Sequence, residues 1–250
     1  MGETHQNRAI IRVSGDDREH FLQGLVSNQV TGLDHLAYAA LLTPQGKYIA
    51  DFFLVPQLDT ILIDVDESLA ADLLKRLKMY KLRAKVGLEM VEKYAIRGIE
   101  EKPEGAFDDP RHPTLGWRLY SDTPAPKAPV IDWDEIRVAH CIPETGRELD
   151  GETYILEAGF ERLHGVDFRK GCYVGQEVTA RMKHKTELRK GFVTVTLDGT
   201  AAPGDAITTE DGKEVGRLTT VSGDKAIAYL RFDRAQGAMR AGAATVTWTP

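Results

Sequence analysis

The chain has 250 residues, room for about one to two domains and for a core that needs no staples. Hydrophobic residues make up 42% and charged residues 28%, which excludes disorder as the main state, and the net charge of −6 excludes a general nucleic-acid coat while leaving room for a local basic patch. Two cysteines, Cys141 and Cys172, exclude a disulfide scaffold and cannot supply the four ligands of a private iron–sulfur cluster or an all-cysteine zinc site.

The start, Met1 to Arg8, is polar and carries Glu3. It has neither the apolar stretch of a signal peptide nor the acid-poor basic face of a transit peptide. Apolar runs such as Leu36 to Leu42 are too short to span a bilayer, so a cytoplasmic location without membrane association is the expectation. Ala9 to Val13 reads as a strand. Ser14-Gly-Asp-Asp17 resembles a capping arrangement ahead of a helix carrying Phe21, Leu22, Leu25 and Val26. Tyr38 to Leu42, Tyr48 to Val55 and Thr60 to Val65 read as strands, joined by the turn Thr43-Pro-Gln-Gly46 and the hairpin loop Pro56 to Asp59. Asp66 can cap a helix whose apolar stripe is Leu69, Leu73, Leu74 and Leu77 and whose end is basic. Lys85 to Ile99 is β-rich again. This order predicts an α+β region with an antiparallel sheet. Pro103 to Pro129 holds six of the 11 prolines and reads as loop, with one short strand at Leu115 to Leu119. Trp133 to Ile142 reads as helix. From about Leu188 the text alternates, as in Phe192-Val-Thr-Val-Thr-Leu197, with a hairpin signal at Asp211-Gly212, and predicts a small all-β barrel or sandwich. The domain division expected is 1–187 and 188–250, with a loop-rich stretch at about 101–130.

Chemistry concentrates in Phe168-Arg-Lys-Gly-Cys-Tyr-Val-Gly-Gln-Glu-Val-Thr-Ala-Arg181. Gly171 and Gly175 let the backbone bend around Cys172. Val174, Val178 and Met182 predict a helix beginning here, with Glu177 and Arg181 spaced for an ion pair. Cys172 would then sit at a helix N-terminus beside Arg169 and Lys170, where the dipole and the cations favour a thiolate. The commoner fate of a lone thiol is a buried structural cysteine. Arg181, Lys183, Lys185, Arg189 and Lys190, with His184, form a basic cluster that could meet a folate's glutamyl tail, an RNA phosphate or an acidic partner, or simply be a solvated linker. The seven histidines show no metal-ligand spacing, Asp64 and Asp66 lack the rest of a calcium loop, and no metal site is expected.

Lys170-Gly-Cys-Tyr-Val-Gly-Gln-Glu177 resembles the signature of the YgfZ family, relatives of the glycine-cleavage T-protein. Phe21 to Val30, Leu41 to Lys47 and Ile142 to Gly146 resemble further segments of that family in the same order. The resemblance implies a GcvT-like α+β fold: intertwined folate-binding domains around a central opening, then a small C-terminal antiparallel β-barrel. It also implies tetrahydrofolate as cofactor, and a role in building or repairing iron–sulfur proteins, tRNA-modifying enzymes among them. Partners would be folate and iron–sulfur clients or assembly machinery. By position, Cys172 is the signature thiol. Trp133 falls at the spacing where, by the resemblance, an aromatic packs on folate, and Lys170, Gly171, Tyr173, Gln176, Glu177 and Arg181 complete the implied cofactor-binding set. Cys141 stands where the family usually has glycine. Asp51 falls where the T-protein carries its catalytic aspartate; without that resemblance it reads as a solvent-facing strand residue. Three functions follow in order: a folate-binding iron–sulfur accessory protein, a folate-dependent aminomethyl or methyl transferase, and an RNA-binding module. Whether the chain turns over a substrate stays open.

Overall fold

The computed structural model describes residues 2–126, 131–185 and 187–249. The chain forms two compact units, residues 1–130 with 160–178, and residues 131–159 with 179–250.

The first unit opens with β1 (Glu3–Thr4), β2 (Arg8–Ser14) and helix α1 (Arg18–Gln23), followed by β3 (Ala37–Leu42), β4 (Tyr48–Pro56) and β5 (Thr60–Asp66). Helix α2 (Glu67–Lys81) leads into β6 (Gly87–Val91) and β7 (Tyr94–Gly98). Five of these strands make an antiparallel sheet in the order β3-β4-β5-β2-β6. One face carries Ile11, Val13, Phe52, Leu54, Ile61 and Ile63, which share a core with Leu22 of α1 and with Ala70, Leu73 and Leu77 of α2. The central strands are buried on both faces, which is why β4 reads as an almost continuous apolar run. Asp66 caps α2 as expected, accepting from Ser68 N at 2.9 Å. The capping expected of Ser14 does not occur. Ser14 stays in β2, α1 starts at Arg18, and the N-cap Asp17 directs its carboxylate to Lys85 N at 2.7 Å instead.

The proline-rich stretch is not simply loop. It supplies β8 (Phe107–Asp108), a short 3-10 helix (Pro113–Leu115) and β9 (Trp117–Ser121), completing a second sheet in the order β1-β7-β9-β8. Its prolines fall outside the strands, where no ladder hydrogen bond is lost. Trp117 is buried, lies against Gly98 and donates to Glu100 O at 3.0 Å. Pro129 lies outside the described residues.

The second unit begins with α3 (Trp133–Ala139), capped by Asp132, which accepts from Glu135 N at 3.0 Å. Helix α4 (Gln176–Lys185) precedes the β-strands β10 (Lys190–Asp198), β11 (Ala206–Thr209), β12 (Glu214–Ser222), β13 (Lys225–Arg231), β14 (Met239–Ala241) and β15 (Ala244–Thr247). They close a barrel in the order β10-β13-β12-β11-β14-β15, with β15 pairing back onto β10. Alternate residues, among them Val195, Leu197, Val215, Ala226, Ala228 and Leu230, fill it. The turn at Asp211-Gly212 forms as expected, with Gly212 at φ +81°. Buried Arg137 ties α3 to the barrel. It donates to Ile142 O at 2.9 Å and to Glu148 at 3.2 Å, and Glu148 in turn accepts from Thr220 of β12 at 2.6 Å. Among the described residues no helix is long and apolar enough to cross a membrane.

Candidate functional site

The signature segment docks onto the first unit through contacts that explain its composition. Lys170 Nζ donates to the carbonyls of Gln23 at 2.7 Å and Val26 at 2.5 Å, just where α1 ends and leaves its carbonyls unpaired. The same ammonium lies 5.0 Å from the ring centroid of buried Tyr173. Burial lowers Lys170 from 10.5 to about 8, with Asp167 opposing the shift. Gly175, at φ +84°, sits so close to the turn after β3 that a Cβ there would lie 2.6 Å from Thr43 O. Gly46 of that turn would in the same way meet Val178 at 2.9 Å. Gln176 closes the bend, accepting from Tyr173 N at 3.2 Å. Farther upstream, Ser27 Oγ donates to Gly165 O at 2.6 Å, and Asn28 donates to Tyr38 O and His164 O. Three segments far apart in sequence, Phe21 to Val30, Leu41 to Lys47 and Lys170 to Glu177, therefore meet.

Cys172 is exposed on this anchored bend, as is Gly171 before it. Two details differ from the sequence expectation. Helix α4 starts at Gln176, because Gly175 must first make its close approach to Thr43, so the thiol precedes the first helical turn. Lys170 is bound to the end of α1 rather than standing beside the thiol. Glu177 and Arg181 form no ion pair with each other among the described residues. Cys141 is partly buried and belongs to the second unit. Its φ of +49° is a left-handed conformation that glycine adopts without strain.

Asp51 is not solvent-facing. It is buried on β4, with Oδ2 accepting from Tyr38 Oη at 2.9 Å and Oδ1 from Tyr48 Oη at 2.7 Å. Burial first, and the Asp51 charge second, push the Tyr38 phenol well above its ordinary value, so it stays a donor. Tyr38 stacks on Phe160 at 4.9 Å, and Arg111 lies over the rings of Tyr38 and Phe53.

On the same sheet face the structure shows a buried charge cluster that sequence reasoning missed. Asp64 accepts from Arg8 Nε at 2.6 Å, Arg118 Nη2 at 2.8 Å and Tyr120 Oη at 2.9 Å. Asp109 binds Arg111 through both oxygens at 3.0 and 2.8 Å and lies 3.5 Å from Arg118. Burial alone would raise both carboxyls, but the flanking guanidiniums outweigh it and hold them below the usual carboxylate range. His5 is pushed well below its ordinary value by burial and by Arg118, so it is neutral at pH 7 and can accept from Arg118 Nη2 at 3.0 Å. The signal available beforehand was a lone acid within the apolar run Ile61 to Val65.

Trp133 opens α3 and is nearly buried, in the second unit. Arg181, Lys183, His184, Arg189 and Lys190 are exposed, while the side chain of Lys185 lies outside the described residues. No group of three or more His, Cys, Asp or Glu side chains is placed to hold a metal ion, among the described residues. The chemistry on offer is one accessible soft ligand on a fixed bend and one buried, oriented carboxylate.

Comparison with known proteins adds the rest. Residues 189–250 match the family described as the CAF17 C-terminal beta-barrel domain. The mitochondrial iron–sulfur cluster assembly factor IBA57 of Mus musculus is 31% identical, aligned over 92% of this chain and 77% of that protein. Its Homo sapiens counterpart is 29% identical over the same shares. The Neurospora crassa homolog is 34% identical over 74% of this chain, which spans about half, 51%, of that longer protein. Among solved structures, the glycine cleavage system aminomethyltransferase T from Bartonella henselae superposes with a TM-score of 0.77, covering 98% of this chain and 84% of its own at 12% identity. A likeness at that identity shows the fold, and the expectation of a GcvT-like fold with a small C-terminal β-barrel is met; the barrel is closed by six strands. The cytoplasmic expectation is overturned, since the relatives are named as mitochondrial proteins.

Proposed function

The chain belongs to the IBA57 family of iron–sulfur cluster assembly factors, relatives of the YgfZ family, and from that membership we propose that it binds tetrahydrofolate and uses Cys172 to help build or repair clusters in client proteins. The observation that carries this reading is the anchored bend. Lys170, Tyr173, Gly175 and Gln176 are all engaged in holding the bend, and Cys172 is presented to solvent together with its neighbour Gly171. A thiolate is a soft ligand for iron. One such thiol, with no other metal-binding group of side chains beside it among the described residues, suits a cluster that passes through and is shared with a partner's ligands. Enzymes that modify tRNA are among the clients we infer.

The residues present fit a reduced folate. Asp51 is a buried carboxylate with the acceptor chemistry that a pterin's amino group requires. Bound folate would supply a carrier for one-carbon groups. Asp51 is oriented by Tyr38 and Tyr48, while the residues of the signature shape the bend that carries Cys172.

A Cys172→Ala variant, folded as judged by an unchanged melting temperature, is expected to fail in restoring iron–sulfur enzyme activity to a strain lacking the native gene. Full restoration overturns the role of the thiol. Anaerobic calorimetric titration with tetrahydrofolate is expected to show saturable binding, weakened in Asp51→Asn and Trp133→Ala; absence of binding removes folate.

A second reading, aminomethyl transfer, is favoured by the one observation of Asp51 buried and oriented in an aminomethyltransferase-like fold. It requires turnover of an aminomethylated lipoyl carrier protein at saturating tetrahydrofolate, and no turnover eliminates it. An RNA-binding role for the exposed Arg181 to Lys190 cluster ranks third and requires an affinity that falls steeply with salt.

A further inference from the structure

The five-stranded sheet ends on β6, whose outer edge pairs with no other strand among the described residues. Every residue of β6 is at least partly exposed. Helix α2 passes over this edge and leaves a groove of about 720 Å³ whose walls include Ala71, Leu74, Lys75 and Met79 of the helix and whose other side is Ala9 and Met90 of the strands. Met79 and Met90 are 62% and 45% exposed, in a trough of the kind that soluble surfaces normally cover. Methionine lines adaptable binding surfaces because its chain is flexible and polarizable. Charge distinguishes the rim. Lys75 and Lys78 line it against a single acid, Glu67, and from Lys75 to Lys85 the chain carries Arg76, Lys81 and Arg83 as well, with no acid, although its net charge is −6. Next to them Leu82, 88% exposed, is held at φ +45°.

We propose that this edge and groove bind an extended acidic and apolar segment of a partner protein, added as a further strand beside β6. The free backbone groups of β6 would pair with the segment, as in other cases of strand addition. Because strand side chains alternate, every second residue of the added segment would enter the groove beside Met90. Acidic residues in the segment would meet Lys75 and Lys78 at the rim. The recess and the open edge favour a polypeptide over a bilayer, since a flat lipid surface can use neither. The proposal involves neither Cys172 nor folate, so it stands or falls independently of the function proposed above.

The test uses the full chain and a short fluorescent peptide whose groove-facing alternate positions carry valine at the centre and glutamate at both ends. The expected result is saturable binding that slows amide exchange at Leu88, Glu89, Met90 and Val91. Binding is expected to weaken about tenfold in the double variant Lys75→Glu, Lys78→Glu, and equally in Met90→Glu, which leaves α2 untouched. A peptide with proline at its centre is expected not to bind, because it cannot complete the ladder. The proposal is overturned by absence of saturable binding, by unchanged exchange along β6, or by equal binding of the proline peptide. Capture of phosphatidylcholine–cardiolipin vesicles without capture of the peptide also overturns it, and reassigns the face to a membrane.

Discussion

Between its two sheets the first unit buries Asp64, Asp109 and Arg118 with Arg8 and Arg111 against them, whereas the C-terminal barrel is filled by Val195, Leu197, Leu218, Leu230 and Val246. The barrel needs no such pairing because its strands close on one another and its alternation keeps polar side chains outside. In the first unit both faces of the sheet are covered, and the ion pairs give the second face a directional match that an aliphatic surface would lack. An ion cluster fails when one member is removed, since the partners are left charged and buried. An aliphatic core fails in proportion to the volume lost.

The largest effect that follows is for Asp64→Ala, which leaves Arg8 without its carboxylate and Arg118 with only the longer contact to Asp109, and is expected to cost the first unit about 4 kcal/mol in denaturant unfolding. Leu218→Ala in the barrel is expected to cost about 3 kcal/mol, seen as faster amide exchange confined to the barrel strands. If Leu218→Ala proves costlier than Asp64→Ala, the contrast between the two regions does not hold. Gly175→Ala adds a Cβ at positive φ against Thr43 O and is expected to cost about 2 kcal/mol. It should also alter the rate at which a disulfide reagent titrates Cys172, and an unchanged rate would separate the bend from the thiol. Leu82→Gly relieves an unfavourable backbone conformation at an exposed site and is expected to raise stability by about 1 kcal/mol, read as an increase in Tm.

The last signal is a slope. Lys170 is held at about 8 in the folded chain against an ordinary 10.5. Below pH 8 it is charged in both states, and burial of the charge counts fully against folding. Between pH 8 and 10.5 the unfolded chain holds more protons, so stability should rise with pH across that window. Lys170→Gln should flatten the rise, and an identical slope in the variant would show that the ammonium is not the group responsible.

Much of this architecture was legible because its signals are local. The alternation in Phe192 to Leu197, the turn residues Thr43 to Gly46 and the cap Asp66 each act within a few positions, and each sits where its local chemistry puts it. The charge cluster was not legible, because Asp64 finds Arg8 and Arg118 more than fifty positions away. Lys170 is a similar case. Its bonds to Gln23 and Val26 close a loop of over 140 residues, so a cation beside a cysteine in sequence proved to be the clamp of α1. Asp51 looked outward on β4 only if the sheet had a wet second face, and Tyr38, Phe53 and Phe160 cover that face instead.

The order in which the chain visits its units also bears on its birth. Residues 160–178 belong to the first unit, but the ribosome makes them only after residues 131–159 of the second. At about 5–20 residues per second, the nascent first unit waits some seconds without the segment that Ser27, Asn28 and the end of α1 are shaped to receive. During that interval the carbonyls of Gln23 and Val26 lack their lysine, and the site where Cys172 will sit does not yet exist. Completion of the thiol's mount is therefore a late event in synthesis, reached only once most of its supporting scaffold has been made.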